Sequence, residues 1–358
     1  MEEYLGFQLK NLGDVLMTLP ALALLKKHRP GCRISMVLRP LTAPLLENHP
    51  LVDEVIVHRF KPRGLDLFNS YKLSRSIKKK GYSASFHFDG QLRGGLLAYL
   101  AGLPVRAVGL GLLGVSGLRC PRLYNRRIIL RDQNSAWESL ALSHQKLVAA
   151  VLGLEAEPDI EVPGPAVPEE AAVKAGALLD SLPGQGPVIG LTLSGRQKEK
   201  SWPLDFWAEV IKTLGAENNA RFYVAGEAGE RPLADNLAGL GGAFLGNFCG
   251  LTGLLDFVAL ARRSDLFLTV DTGSAHLVSL TSTPLVTIFT ATNPVQWGAL
   301  SPRQARLCYN WALARFGLTD GPFTGYPIVS PCEVIEAARS FLRPVPQSSG
   351  RPSETRRI

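Results

Sequence analysis

The feature that most constrains this chain is an alternation of short apolar runs with longer segments of helical spacing, repeated along most of its 358 residues. Tyr4–Leu9 is such a run, and it leads through Lys10-Asn-Leu-Gly-Asp14 into a helical pattern over Val15–His28 that Pro30-Gly31 closes. Arg33–Leu38, Glu54–His58 and Ser83–Phe88 are further strand-like runs. Strand, glycine-bearing turn and helix in succession open a β-α-β unit, and strands that alternate with helices pair in parallel beneath helical faces. Pro20 falls inside the first helical pattern, so that helix either begins near Pro20 or is kinked there.

The alternation stops at Val162-Pro-Gly-Pro-Ala-Val-Pro168, a stiff connector, and restarts after a helical stretch, Glu169–Leu182. Strands follow at Val188–Leu193, Arg221–Ala225, Leu266–Val270 and Leu285–Phe289, with helices at Leu204–Leu214, Leu254–Arg263 and Cys332–Leu342. This predicts an α/β chain of two doubly wound, Rossmann-like domains, residues 1–165 and 169–343, facing a central cleft at the carboxyl ends of their strands. The length suits two domains of about 100–200 residues each. Residues 344–358 have the Pro, Ser and Arg makeup of a disordered tail.

Composition narrows the class. With 46% hydrophobic and 20% charged residues the chain is too apolar for disorder. Its best apolar stretch, Gly94–Val105, is too short to span a bilayer and is broken by glycines and Pro104. The opening Met-Glu-Glu-Tyr is acidic where a secretory signal is basic, so a cytoplasmic protein is expected. Five scattered cysteines with no Cys-x-x-Cys pair give no support to zinc or redox sites and read as reduced, mostly buried thiols.

The net charge of +8 is lopsided. Residues 1–160 hold 22 Lys and Arg against 13 Asp and Glu, whereas the remainder hold 17 against 18. Dense basic runs lie at Arg75–Lys80 and Arg119–Arg127. Such a half suits an anionic partner (phosphorylated lipid, membrane surface or nucleic acid) or is merely a solvated face. No nucleic-acid-binding motif or interleaved aromatic platform accompanies it.

Three local motifs bear on chemistry. Gly109-Leu-Gly-Leu-Leu-Gly114 spells a dinucleotide fingerprint, but Val115-Ser-Gly117 and Pro121 do not continue it as a helix, so a glycine loop is the better reading. Gly13-Asp14 lies on the first strand-to-helix turn, where an acid either complements the helix dipole or serves as a general base at the cleft rim. Asp271-Thr-Gly-Ser-Ala-His276 follows strand Leu266–Val270 and opens a helix, an arrangement whose free amides suit a phosphate or else a simple cap. Alongside, Arg196, Lys198 and Lys200 place three cations in five residues, either for a diphosphate or as a solvated loop, and Trp202 is read as packing.

Taken together, these stretches resemble glycosyltransferase family 9, the heptosyltransferase-like enzymes of lipopolysaccharide assembly, over Leu5 to about Leu342. The resemblance is carried by Lys10–Leu22, His49–Val55, Phe88-Asp-Gly-Gln-Leu-Arg93, Lys200-Ser-Trp-Pro203, Gly226–Glu230, Asp271–His276, Pro284–Phe289 and Thr292-Asn-Pro294. It implies the two-domain GT-B fold and an inverting, metal-independent transfer from a nucleotide-diphosphate sugar, ADP-heptose in the best-known members, to a lipopolysaccharide-type glycolipid. By position it makes Asp14 the base and Lys200 a phosphate contact, with Arg196 beside it. Asp271, Thr272, Gly273, Ser274, Ala275 and His276 become the diphosphate turn, Glu230 a ribose-side contact, and Gly13, Asp89 and Arg93 the acceptor side. No cofactor or metal is expected, and no Asp-x-Asp pair is present to chelate one. The basic first domain would hold the anionic acceptor at the inner membrane face. The chain departs from the family at Ser194-Gly195, where Pro-Gly is usual, and at Thr290-Ala291 within Phe289–Thr292, where Phe-Gly-Pro-Thr is common; both departures border the donor pocket. Competing readings are another GT-B chemistry, such as nucleotide-sugar epimerisation, and a catalytically silent nucleotide-sugar or lipid-binding module.

Overall fold

The computed structural model describes residues 1–59, 67–110, 121–130, 138–195, 198–241, 245–308 and 328–342. Within them the chain forms two parallel sheets of six strands each. The first holds β1 (Glu3–Phe7), β2 (Arg33–Leu38), β3 (Glu54–Val57), β4 (Ala84–His87), β5 (Arg106–Leu110) and β6 (Arg126–Ile129) in the order β3-β2-β1-β4-β5-β6. The second holds β7 (Val188–Thr192), β8 (Arg221–Val224), β9 (Leu245–Asn247), β10 (Leu266–Val270), β11 (Leu285–Phe289) and β12 (Gln304–Cys308) in the order β12-β11-β10-β7-β8-β9. Both sheets wind outward from their first strand and then return to its other side. Each therefore has a switch point, between β1 and β4 in one and between β7 and β10 in the other, where adjacent loops diverge and leave a crevice.

The helices follow the same logic. In the first half they are α1 (Leu12–Leu16), α2 (Leu19–His28), α3 (Leu67–Lys80), α4 (Leu92–Leu100) and α5 (Leu140–Leu152). In the second they are α6 (Glu169–Asp180), α7 (Leu204–Asn218), α8 (Arg231–Gly241), α9 (Leu254–Arg262), α10 (Gly273–Val278) and a C-terminal helix over Pro331–Leu342. Strands β4, β7, β10 and β11 are buried along their whole length, as central strands covered on both faces must be, which is why β7, β10 and β11 read as mainly apolar runs. Pro20 proves to sit in the first turn of α2, behind the break at Met17-Thr18, where its missing N–H leaves no bond unmade. Gly109 and Leu110 end β5, and the rest of that glycine motif, like the tail 344–358, lies outside the described residues. Of the cysteines, Cys32 and Cys249 are buried, Cys308 is half-buried and Cys332 is exposed, so burial holds for only part of the set.

The halves share a seam. Helix α1 packs on α10, and a 3₁₀ turn at Ala43–Leu45 packs on α9. One buried apolar cluster runs across, joining Leu16, Leu45 and Leu46 to Phe257, Leu260 and Val278. The proline-rich connector is pinned from both sides. His49 Nε2 donates to the Pro163 carbonyl at 3.0 Å, and Arg262 donates to the Pro165 carbonyl at 2.8 Å. Between them Gly164 passes so close that a Cβ there would lie 2.3 Å from the Leu280 carbonyl oxygen.

Candidate active site

The chain leaving β1 turns through Gln8, Leu9 and Lys10 into α1, and Asp14 stands in the first turn of that helix, half-buried. The Asn11 N–H donates to Asp14 Oδ2 at 3.2 Å, and the buried Gln8 amide donates to the Asp14 carbonyl at 3.3 Å. Asp89, one residue beyond Phe88 at the end of β4, ties the two strand ends together. Its Oδ2 accepts from the Leu9 N–H at 2.7 Å and its Oδ1 from the Gln91 N–H at 3.0 Å. Burial pushes the Asp89 carboxyl up to about 6, against the pull of those two amides and Lys10. The residue expected on the acceptor side thus has both oxygens hydrogen-bonded to the main chain and shapes the turn. Arg93 lies half-buried in the first turn of α4, just after it.

Strand β10 delivers the opposing turn. Asp271 is buried at its end, Thr272 caps α10 by accepting the Ser274 N–H at 3.1 Å, and Thr272, Gly273 and Ser274 remain half-open. Asp271 Oδ2 accepts from Lys200 Nζ at 2.6 Å and also from the Thr292 hydroxyl. Lys200 is carried by a 3₁₀ turn, Lys198–Lys200, whose Glu199 carbonyl accepts from the Thr290 hydroxyl at 2.7 Å. A Cβ on Gly195 would stand 3.2 Å from Lys200 Cβ and 3.3 Å from Thr272 Cγ2, so the loops after β7 and β10 lie against each other at the second switch point. Glu230 folds back over the end of β8, accepting from the Ser194 hydroxyl and, at 2.8 Å, from the Glu227 N–H. Arg196 lies outside the described residues.

The two turns touch. A Cβ on Gly13 would fall 2.7 Å from His276 Cδ2, and one on Gly273 would fall 2.9 Å from Leu12 Cδ2. His276 sits between them, buried, with Nδ1 lacking a hydrogen-bond partner among the described residues. Burial lowers its pKa, opposed by Asp271 and Asp14 on its two sides, so the ring stays neutral at neutral pH. Behind Asp14, the buried His144 has Nδ1 3.1 Å from the Met17 carbonyl and Nε2 3.3 Å from the Phe88 carbonyl; desolvation lowers its pKa to about 4, so the neutral ring donates to one of the two. Sequence reasoning singled out neither Gln8 nor His144, nor the role of Thr290 in holding the lysine loop; no local motif marks them. Trp202 packs, as expected, against Phe206 and Trp207, its indole N–H donating to the Val329 carbonyl at 2.8 Å.

Two open cavities of about 390 and 340 Å³ lie elsewhere, one between α2 and the segment before the connector, the other beneath β10 and β11. Neither brings amides and cations together at strand ends, and the convergence just described is the better guide to chemistry. Among the described residues no cluster of three or more His, Cys, Asp or Glu is placed to hold a metal.

Two Rossmann-like halves in contact through the loops at their switch points define the GT-B architecture, with the turn that bears Asp14 in one half packed against the turn that opens α10 in the other. The comparisons specify the class further. The sequence model of glycosyltransferase family 9 (heptosyltransferase) matches residues 70–320, and the chain belongs to that family; it is a glycosyltransferase. It is 25% identical over 342 residues to lipopolysaccharide heptosyltransferase 2 of Salmonella typhimurium, spanning 92% of this chain and 96% of that one. The fold matches a family 9 glycosyl transferase from Veillonella parvula with a TM-score of 0.79 at 21% identity, covering 95% and 97% of the two chains. It matches the ADP-heptose lipopolysaccharide heptosyltransferase II of Escherichia coli with a TM-score of 0.73 at 20% identity, covering 96% and 98%.

Proposed function

We propose that this enzyme moves a heptose from ADP-heptose to a hydroxyl of a lipopolysaccharide-type glycolipid, with inversion and without a metal. The observation that carries the reading is the direct contact between the α1 turn bearing Asp14 and the α10 turn bearing the open amides. Inversion needs a base and a leaving diphosphate on opposite faces of the anomeric carbon, and these turns come from opposite halves. Residues 1–165 form the acceptor domain in this reading, and 169–343 the donor domain.

Asp14 takes the proton of the attacking hydroxyl. A carboxylate suffices when that transfer comes late, because the oxocarbenium-like carbon has by then made the hydroxyl acidic. Charge growing on the diphosphate is met by the N–H groups of the Thr272–Ala275 turn and by Lys200, already placed by Asp271, and Arg196 keeps the diphosphate role its place in the sequence suggests. Glu230 faces the ribose. Gly13 keeps the backbone low against His276, and Asp89 and Arg93 shape the acceptor side. The basic first domain holds the anionic acceptor at the cytoplasmic face of the membrane. No described helix is long and apolar enough to cross a membrane, so this contact is peripheral in the proposal.

The test separates chemistry from binding. Asp14→Asn should lower turnover by about 10²–10⁴-fold, the usual contribution of a general base. Thermal stabilisation by ADP, set against UDP, GDP and CDP, should survive the change. Undiminished turnover in Asp14→Asn would remove the base, and stabilisation by another nucleotide in preference to ADP would remove the donor.

A further inference from the structure

Helix α4 is apolar on both sides. Gly94, Gly95, Leu97 and Ala98 are buried against the sheet, while Leu92, Tyr99 and Leu100 are 37%, 52% and 44% exposed, with Leu96 half-buried between them. Positions 92, 96, 99 and 100 follow the helical repeat, so these four side chains make one stripe on the outer face. A helix of this kind is ordinarily covered on both sides.

Its surroundings are cationic without relief. Residues 67–130 contain eleven Lys and Arg and a single acid, Asp89, which is buried. Helix α3 lies in the same layer. Both helices belong to crossovers that move the same way across the sheet, and right-handed connections place them on one face. Ile77 of α3 and Leu97 and Ala98 of α4 share one apolar layer beneath them. The outer side of α3 exposes Tyr71, Lys72, Arg75, Lys78 and Lys79, whereas Lys80 is paired with Glu54. On the other flank the 3₁₀ turn Pro121–Leu123 packs on α4, bringing exposed Arg122 close and leading to exposed Arg126 and Arg127. The Arg106 guanidinium lies 5.5 Å above the Tyr99 ring.

We propose that this face seats on an anionic phospholipid bilayer, with the Leu92, Leu96, Tyr99 and Leu100 stripe in the interface and the flanking cations on lipid phosphates. Apolar and tyrosyl side chains framed by Lys and Arg match the chemistry of an anionic membrane surface, where apolar burial and charge attraction add. A nucleic acid would use the cations and leave the leucines uncovered. The orientation also serves the site: α4 begins three residues after Asp89, so a bilayer lying along it presents a lipid-borne acceptor near the first switch point. The inference rests on the membrane contact proposed above and on nothing in the transfer chemistry.

The experiment is flotation of the full chain with vesicles of mixed phosphatidylglycerol and phosphatidylcholine, and with phosphatidylcholine alone, read without turnover. The protein should float with the anionic vesicles only. Lys72→Ala with Lys79→Ala should weaken binding about 25-fold, at roughly fivefold per cation near a charged surface. Tyr99→Ser with Leu100→Ser should weaken it by about tenfold or more while every charge is kept. Leu100→Trp, compared with the unsubstituted protein, should gain blue-shifted emission that brominated lipid quenches. Thermal melting confirms that each variant is folded. Binding that follows the lysines but ignores Tyr99 and Leu100, with no quenching of the new tryptophan, overturns the seating in favour of electrostatic adsorption. Displacement of the vesicles by duplex DNA, or equal binding to neutral vesicles, overturns it as well. Any of these failures leaves the Asp14 experiment unaffected.

Discussion

Gly13→Ala tests the contact on which the active-site assignment turns. The added Cβ would lie 2.7 Å from Cδ2 and 3.1 Å from Nε2 of His276, inside the ordinary ~3.5–4.0 Å separation of carbon atoms. The ring is buried and belongs to α10, so it cannot swing away; it or α1 must retreat by roughly 1 Å. Overpacking of this kind costs about 1–3 kcal/mol. Alanine also favours the helix by up to ~1 kcal/mol over glycine, and Gly13 lies within α1. The second effect partly offsets the first in stability, leaving a loss of about 0–2 kcal/mol. They do not offset in activity, because Asp14 is the next residue and moves with the turn. A misplacement of ~1 Å at a reacting group lowers rate by up to about 10²-fold. We therefore expect kcat/KM for nucleotide release to fall about 10- to 100-fold in Gly13→Ala, with nucleotide-induced stabilisation retained. Equal kcat/KM in Gly13→Ala and the unsubstituted enzyme would refute the argument.

Thr292→Val removes one of two donors from the buried Asp271 Oδ2 and should lower kcat/KM by about 10- to 100-fold, equivalent to roughly 1.5–3 kcal/mol for a hydrogen bond to a charged group. Thr292→Ser should recover most of it, and a valine variant as active as the serine one would detach Thr292 from the site. His87 is buried, with Nδ1 unpartnered among the described residues, and desolvation holds its pKa down to about 3. The unfolded imidazole has its ordinary value near 6.5 and binds a proton that the folded one refuses. Stability is therefore complete above about pH 6.5 and lost as pH falls below it, by about 2 kcal/mol at pH 5. In His87→Phe the change in urea midpoint between pH 7 and pH 5 should shrink accordingly, and an unchanged difference counts against a neutral buried ring.

Some of this was legible before any coordinates. Arg33–Leu38, Leu266–Val270 and Leu285–Phe289 read as strands with the bounds they have, because central parallel strands are apolar on both faces and turn residues flank them. Strands β5, β6, β9 and β12 escaped notice. Arg126–Ile129 is an edge strand inside a basic run and Gln304–Cys308 an edge strand of mixed polarity; neither is covered on both sides, so neither shows the apolar signature. The strand-to-helix turns that carry Asp14 and Asp271–His276 were visible because strand, glycine turn and helix start are local. What joins them was not. Asp271 draws Lys200 from 71 residues away and Thr292 from 21 away, and Asp89 reaches back 80 residues to the Leu9 amide. No periodicity records such pairs, so the hold of Asp89 on the main chain could not be read from the sequence.

The same pairs explain how the proposed diphosphate site stays folded before a ligand arrives. Burial keeps His276 neutral, so the positive character at the α10 turn comes from backbone amides and from Lys200. Lys200 is not left to repel its surroundings: Asp271 holds it at 2.6 Å with its side chain 21% exposed, while the carboxylate itself is 5% exposed. A lone cation at a converging cleft would scatter among rotamers, and a lone buried carboxylate would be driven to protonate. Paired, each fixes the other, and Thr292 on the neighbouring strand's loop sets the angle of both. The arrangement gives up part of the lysine's charge in exchange for its position. Preorganised donors of this kind gain more at the transition state than mobile ones of greater charge, because no reorganisation is needed when the diphosphate departs.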